Sequence, residues 1–403
     1  MHFGLSAVEA HELDAIRAST SLLVTLSAKD KGPMRQNRFL LFIFILCIGL
    51  SACGEVIQPP TPEADATPTS GIELTPIDLS VGYGVKGSWF ELYFTDPTNP
   101  LSQQGTGGVD GPLVKTIDAA HLSIDVAAYS ISLNSVRNAL INAHKRGVNV
   151  RMVMESTNMD RSDPQALMDA GIPIIGDNRE GLMHDKFMVI DKAEVWLGSM
   201  NYTDAGTYDD NNNMMRILST KIAEDYSVEF NEMFEEDKFG SDVVAQTPNP
   251  TVTIDKTRVD IYFSPDDRVL NALLPVLRSA EKSIYFLAYS FTSNDLGNLV
   301  RDKAAKGLTV EGVMDEEQVA SNQGTEFDPF LQAGVDVRID GNEGLMHHKV
   351  FIIDEKIVIF GSYNFSQSAE ERNDENVIIV YNEAIAQQFM QEFQRVWKVA
   401  REK

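Results

Sequence analysis

The sequence predicts an α/β fold in which two similar halves, each with helices covering a sheet, follow one another in one chain. Short apolar runs alternate with helix-like stretches, which is typical of this class. The same pattern of residues returns after 160 to 163 positions, which indicates an internal duplication. The chain has 403 residues, of which 23% are charged and 43% hydrophobic. This composition favours a globular protein over a disordered one.

The N-terminal part of the chain indicates export. Residues 39–50 form an apolar run of twelve residues that is preceded by Arg35 and Arg38. A membrane-spanning helix needs about 20 residues, whereas this length and this basic flank fit a signal peptide. The run ends at Leu50, and Leu50-Ser51-Ala52-Cys53 resembles the lipobox of bacterial lipoproteins. That resemblance implies lipidation of Cys53; an ordinary secretory signal or a short anchor is the alternative.

We therefore predict four segments and an exported protein that is lipid-anchored to the outer face of a bacterial cell membrane. Residues 1–52 would be an N-terminal extension with a signal peptide, and Met34 stands where such a peptide should start. Residues 53–87 would be a lipidated tether, because their Pro/Thr-rich composition cannot build a core. Residues 88–247 and 248–403 would be the two halves.

The repeat predicts the same order of elements in each half. Ala128-Tyr129-Ser130 and Ala288-Tyr289-Ser290 each end an alternating apolar run that predicts a strand. A helix-like stretch and another short strand follow. A later short helix then begins at Asp163-Pro164 in one half and at Asp328-Pro329 in the other, since proline is well tolerated in the first turn of a helix.

The most specific signal is a motif that occurs once in each half. Its pattern is His-x-Lys-x4-Asp-x6-Gly-Ser-x-Asn. On an extended strand the histidine and the lysine share one face, because side chains alternate between faces. The residues that fill the pattern are His184, Lys186, Asp191, Ser199 and Asn201 in the first half and His347, Lys349, Asp354, Ser362 and Asn364 in the second.

Two complete motifs at equivalent places resemble the paired signature of the phospholipase D superfamily of phosphodiesterases. The resemblance covers residues 88–403. It implies that each half has the α/β sandwich of that family and that both motifs meet in one active site between the halves. It also implies that no metal or other cofactor is required. Because both motifs lie in one chain, a monomer would be sufficient.

The residue types fit the hydrolysis of a phosphodiester, which needs charge neutralisation, a nucleophile and a proton donor. The two lysines and two asparagines can donate to the non-bridging oxygens. One histidine can attack phosphorus, and the other can protonate the leaving alkoxide. Water would then hydrolyse the phosphohistidine. We expect Asp191 and Asp354 to brace the lysine or the loop rather than to touch the substrate.

The family often has a carboxylate eleven residues after the last asparagine of the motif, where it orients the histidine. Glu375 occupies that place in the second half, and Asn212 occupies it in the first. If each histidine takes its partner from its own half, the carboxylate favours a protonated His347. This argument makes His184 the nucleophile and His347 the general acid.

Composition narrows the remaining possibilities. The two cysteines, Cys47 and Cys53, exclude a disulfide scaffold and a cysteine-based zinc site. Asp204, Asp209 and Asp210 could hold calcium, although a solvated loop is the favoured interpretation. The formal charge of −25 counts against broad electrostatic binding of nucleic acid.

The substrate is the open question at this point. We expect a phospholipid at a membrane surface, cleaved to phosphatidic acid and the head-group alcohol, because a lipid anchor would raise the effective concentration of the enzyme there. The alternative is a surface-tethered nuclease of the same superfamily that cleaves DNA or RNA. A catalytically inactive binding module is a third possibility, which two intact motifs disfavour.

Overall fold

The computed structural model describes residues 72–402. The predicted signal peptide, Cys53 and most of the predicted tether lie outside the described residues. Within residues 72–402, none of the helices combines the length and the apolar character that crossing a bilayer requires.

The first half is built on a nine-stranded sheet with the order β1-β2-β3-β9-β8-β7-β4-β5-β6. The pairs β4–β5 and β5–β6 are parallel, and all other neighbours are antiparallel. The strands are β1 (Thr75–Ile77), β2 (Tyr83–Lys86), β3 (Phe90–Phe94), β4 (Ser123–Ala128), β5 (Asn149–Glu155), β6 (Ile174–Asp177), β7 (Lys186–Ile190), β8 (Glu194–Gly198) and β9 (Asn213–Leu218).

The second half has an eight-stranded sheet with the order β10-β11-β17-β16-β15-β12-β13-β14. This is the order of the first sheet without β1, and the parallel pairs β12–β13 and β13–β14 are at equivalent places. The predicted duplication is therefore confirmed. The strands are β10 (Thr251–Ile254), β11 (Thr257–Ser264), β12 (Ser283–Ala288), β13 (Thr309–Met314), β14 (Asp336–Ile339), β15 (Lys349–Ile353), β16 (Ile357–Gly361) and β17 (Glu375–Tyr381).

Helices cover the sheets, which confirms the predicted α/β class. They are α1 (Asp110–Ala119), α2 (Asn134–Lys145), α3 (Ser162–Asp169), α4 (Asp204–Tyr208), α5 (Thr220–Glu236), α6 (Val269–Arg278), α7 (Asn294–Ala305), α8 (Glu316–Ser321), α9 (Phe327–Gln332), α10 (Gln367–Glu371) and α11 (Glu383–Val399). The long helices α5 and α11 begin at Ser219 and Asn382, whose side chains accept hydrogen bonds from Ile222 N and Ile385 N. Such caps satisfy amide groups that have no partner inside the helix.

One hydrophobic core joins the two halves. Tyr226 of α5 contacts Phe187 of the first sheet and Phe263 of the second, with ring centroids 4.9 and 5.0 Å apart. Phe389 of α11 contacts Phe94 of the first sheet at 5.1 Å. Because these contacts belong to a continuous buried cluster, the removal of apolar surface from water holds the halves together.

The predicted tether, residues 53–87, extends too far toward the C-terminus. Thr75–Ile77 and Tyr83–Lys86 are strands at the edge of the first sheet. The ring of Tyr83 stacks on Phe94 at 5.0 Å, and its hydroxyl donates to Glu392. These strands are only three and four residues long, too short for an alternating pattern to distinguish them from a linker.

Candidate active site

Each motif histidine lies beside a short parallel β-bridge between the main chains of the two halves. The N–H of His184 donates to the carbonyl of Asp374 at 3.0 Å, and the N–H of His347 donates to the carbonyl of Asn211, also at 3.0 Å. Asp374 directly precedes β17, and Asn211 lies two residues before β9. The backbone of each histidine is therefore hydrogen-bonded to the other half, and this pairing brings the two motifs together.

The partner of each imidazole also comes from the other half. Nδ1 of His184 is 2.7 Å from Oε2 of Glu375, and Nδ1 of His347 is 3.0 Å from Oδ1 of Asn212. The premise that Glu375 orients His347 was therefore wrong. The reason is the backbone pairing between the halves, which places the residue after Asp374 beside His184 rather than beside the histidine of its own half.

The surroundings of the site shift the pKa values of its two motif histidines and of Glu375. Burial, followed by the charges of Lys186 and Lys349, lowers the pKa of both His184 and His347 well below 6.5. Burial raises the pKa of Glu375 to about 8. Near neutral pH, the free site therefore holds a protonated Glu375 carboxyl beside a neutral His184 imidazole, and His347 is neutral as well.

The two lysines are attached to the histidines of their own motifs. Nζ of Lys186 donates to the carbonyl of His184 at 2.7 Å, and Nζ of Lys349 donates to the carbonyl of His347 at 2.8 Å. Both lysines are almost completely buried. Each ammonium is thus fixed relative to its imidazole, in a region of low dielectric constant where a charge acts strongly on an anion.

The serines of the motifs connect the site to the strands behind it. Oγ of Ser199 donates to Oδ1 of Asn212 at 2.7 Å and accepts from the N–H of Asn213 at 3.1 Å. Ser362 accepts from the N–H of Asn376 at 3.0 Å. The glycine before each serine is required, because a Cβ at Gly198 would lie 2.2 Å from the carbonyl oxygen of Asn213.

The motif asparagines carry an unsatisfied group. Oδ1 of Asn201 and Oδ1 of Asn364 are buried, and neither has a hydrogen-bond partner within residues 72–402. Buried polar atoms normally find partners, so two equivalent exceptions mark a place where a ligand or water completes the bonding.

The motif aspartates lie away from the histidines and brace the loop before a central strand. Asp191 accepts from the backbone N–H groups of His121, Leu122 and Ser123 at 2.7–3.1 Å. Asp354 makes the same contacts with residues 281–283. Although burial alone would raise the pKa of Asp191, the backbone donors hold it below its ordinary value.

A second layer of buried polar residues differs between the halves. Asn376 donates to Asp185 at 2.6 Å, whereas the equivalent Asn213 contacts His348 at 2.9 Å. His348 in turn lies 2.8 Å from Glu392, which is bound by Arg395. The buried layer behind His184 and the buried layer behind His347 therefore contain different ionisable groups, although the two motifs are symmetric.

Comparison with known families identifies the two halves. The family described as "Cardiolipin synthase, PLD-like domain" matches residues 113–234 and again residues 273–397. The chain belongs to the phospholipase D-like family. Its domain occurs twice, and each copy contains one complete motif.

Individual relatives of this phospholipase D-like protein match about a third of the chain. A mitochondrial cardiolipin hydrolase of Chlamydomonas reinhardtii is 34% identical over 135 residues, 34% of this chain and 60% of the relative. A phospholipase D of Rickettsia typhi is 31% identical over 138 residues, 34% of this chain and 67% of the relative. The chain spans between 50% and 62% of the length of the cardiolipin hydrolases that it matches.

A solved structure extends the similarity over both copies of the domain. The phosphatidylserine synthase of Haemophilus influenzae aligns with 73% of this chain and 86% of its own, at 12% identity and a TM-score of 0.59. This similarity shows a shared fold.

Within residues 72–402, no three His, Cys, Asp or Glu side chains are grouped so that they could hold a metal ion.

Sequence reasoning missed several residues of this phospholipase D-like site. Asp185, His348, Asn213 and Asn376 are all buried beside the motifs. Their neighbours in sequence are motif residues or their partners, so proximity along the chain was an available signal. The motif pattern gave no indication that these residues pair across the two halves.

Proposed function

We propose that this protein is a phosphodiesterase of the phospholipase D type that hydrolyses the head-group ester of phospholipids to phosphatidic acid. The observation that carries the proposal is the convergence of two His-Lys pairs, with the Nδ1 atom of each imidazole bound by an oxygen atom of the other half. Because that bond occupies Nδ1, Nε2 of each histidine is available to the substrate. One imidazole can thus attack phosphorus while the other protonates the leaving oxygen.

His184 is the nucleophile in this proposal and His347 the general acid. Nε2 of His184 attacks phosphorus, the P–O bond to the head group breaks, and His347 gives its proton to the leaving alkoxide. A positive charge develops on the imidazole that forms the P–N bond, and the carboxylate of Glu375 stabilises it. The neutral amide of Asn212 stabilises a cation on His347 less than a carboxylate would, which makes that imidazolium a stronger acid. His184 and His347 therefore keep, in this proposal, the roles expected from the sequence, but for a different physical reason.

The second step returns the enzyme to its starting state. His347, now neutral, takes a proton from water, and the resulting hydroxide displaces His184 from phosphorus. The two lysines neutralise the phosphate oxygens throughout, so the proposed reaction requires no metal ion. The products are phosphatidic acid and the alcohol.

The free site already contains the proton that the acid needs. Burial keeps that proton on Glu375 at neutral pH, where its pKa is about 8. An anionic phosphate beside His347 favours the imidazolium, so the proton can relocate when the substrate binds. The change from Glu375–COOH with neutral His347 to carboxylate with imidazolium involves no net proton uptake.

Three features support a phospholipid substrate. Relatives at 31–36% identity are named cardiolipin hydrolase or phospholipase D. The formal charge of −25 disfavours a polyanionic polymer. The lipobox-like sequence ending at Cys53 would hold the enzyme at a membrane.

The test incubates the purified full chain, in EDTA, with vesicles of mixed phospholipids and separately with plasmid and single-stranded DNA. We expect phosphatidic acid release that is lost in His184→Ala and kept in His121→Ala, a matched variant at an exposed histidine outside the motifs. DNA cleavage that depends on His184, with lipids untouched, would replace the phospholipase by the nuclease. Activity restored only by added metal would overturn metal independence.

We further propose that the protein is exported and anchored through a lipid on Cys53. Expression with a radioactive fatty acid should label the chain, and Cys53→Ser should abolish the label. An unlabelled chain that is nevertheless secreted would indicate an ordinary signal peptide.

A further inference from the structure

Tyr129 and Tyr289 occupy equivalent places beside the two motifs. In the sheet, Ala128 pairs with Lys186 and Ala288 pairs with Lys349. The tyrosine that follows each alanine continues this pairing, since Tyr129 N–H donates to the Asp185 carbonyl at 3.1 Å. The strand register therefore brings each tyrosine to its motif.

Each tyrosine ring contacts both functional groups of its motif. The Tyr129 ring lies edge-on to the His184 imidazole, with centroids 5.1 Å apart, and Nζ of Lys186 is 5.2 Å from the ring centroid.

The second half repeats this arrangement with residues of its own. The Tyr289 ring lies 4.7 Å from the His347 imidazole, and Nζ of Lys349 lies 4.6 Å from the Tyr289 centroid. The same three-group arrangement in both copies makes an accident of packing a poor explanation.

An aromatic ring suits this place because of its charge distribution. The ring face attracts an ammonium group, yet the ring carries no net charge that would repel a phosphate. The edge contact adds a second constraint on the imidazole, whose Nδ1 atom is already bound by the other half. The plane of each histidine and the place of each ammonium are therefore set together.

We propose that Tyr129 and Tyr289 are positioning residues, each of which holds one motif lysine and one motif histidine in the geometry that binds and attacks a phosphate. This inference rests on the proposed phosphodiesterase function. The aromatic rings, and not the hydroxyl groups, do the positioning, so phenylalanine can replace each tyrosine and an aliphatic side chain cannot.

The Tyr289 ring is also held through its hydroxyl group. The hydroxyl of Tyr289 accepts from Nε2 of Gln318 at 3.1 Å, and Oε1 of Gln318 accepts from Asn322 at 2.9 Å. These hydrogen bonds connect Asn322 and Gln318 of the α8 region to the Tyr289 ring beside His347. Removing the Tyr289 hydroxyl therefore releases Gln318 but leaves the ring contacts in place.

The experiment compares Tyr129→Phe, Tyr129→Leu, Tyr289→Phe and Tyr289→Leu in the full chain. One assay measures kcat and KM on the soluble diester bis(p-nitrophenyl) phosphate, and a second measures the binding of inorganic phosphate by calorimetry. We expect each leucine variant to lose about tenfold or more in phosphate affinity and in kcat/KM, and each phenylalanine variant to stay within about threefold of the parent. A melting temperature close to the parent's shows that a variant is folded.

The control is Tyr381→Leu, which removes a cation–π contact with Arg258 (4.8 Å) at the end of β17 opposite Glu375. It should leave phosphate affinity unchanged. Folded leucine variants that bind phosphate and turn over like the parent would overturn the inference, as would phenylalanine variants as impaired as leucine. If the chain hydrolyses no diester, the phosphate titration still tests the tyrosines, so the two failures are distinguishable.

Discussion

Nδ1 of His184 lies 2.7 Å from Oε2 of Glu375, although the two residues are 191 positions apart in the chain. The equivalent bond joins His347 to Asn212, 135 positions apart. Each half therefore supplies the orienting group for the histidine of the other half. One half alone contains a motif but lacks the group that orients its imidazole.

Glu375→Gln should lower kcat by roughly a hundredfold or more with a small change in KM, because the charge that stabilises the proposed phosphohistidine is lost while the shape of the side chain is kept. It should also move the alkaline limb of kcat/KM. In the parent that limb follows the loss of the proton from Glu375, whose pKa is raised to about 8. In the variant the proton resides only on imidazoles of lowered pKa, so activity should fall from a lower pH. An unchanged pH profile would contradict this account.

Rapid quenching should trap a phosphoenzyme on His184. His347→Ala retains the proposed nucleophile but lacks the proposed general acid and base, so an activated substrate with a good leaving group should label it and the label should persist. Peptide mapping locates the phosphate. Label on His347 in a His184→Ala variant, with none on His184 in the reciprocal variant, would reverse the roles.

Asp191→Ala should destabilise the fold by about 1–3 kcal/mol, because three backbone N–H groups lose a charged acceptor. The kcat of the folded protein should change less than about threefold, since the bracing contacts lie away from the imidazoles. Urea unfolding and a saturation curve measure the two effects. Asp354→Ala should behave alike, because Asp354 makes the same contacts. A large loss of kcat without a loss of stability would give the aspartate a role in the reaction.

Asp185→Asn should stabilise the protein increasingly as the pH rises. Burial raises the pKa of Asp185 to about 7, so the folded state holds a proton that the unfolded state releases above about 4. The contribution of this group to stability is present below pH 4 and is lost as the pH rises through 7. The free energies of unfolding of parent and variant, measured by urea unfolding, should therefore be similar near pH 4 and diverge toward pH 8, by on the order of 2 kcal/mol. Asp160→Asn, at an exposed position, is the control; a difference independent of pH would show that Asp185 does not titrate in this range.

Much of the fold and the centre of the site could be predicted because their signals are local. Alternating apolar residues predict strands wherever one face is buried, and a repeated pattern predicts a repeated fold. The motif keeps a histidine and a lysine two residues apart, which places them on one face of any strand. His184, Lys186 and their counterparts in the second half were identified on this basis.

Only the tertiary structure determines which residue binds the Nδ1 atom of each histidine. Spacing placed Glu375 and Asn212 at equivalent positions but could not show that the backbones of the two halves pair just before β9 and β17. It likewise showed Tyr129 and Tyr289 as repeated residues without showing that strand pairing brings their rings to the lysines. Local spacing determines what lies on one strand, because strand geometry is nearly invariant. Contacts between strands depend on how two sheets and their helices pack, which is settled only when the whole core is buried.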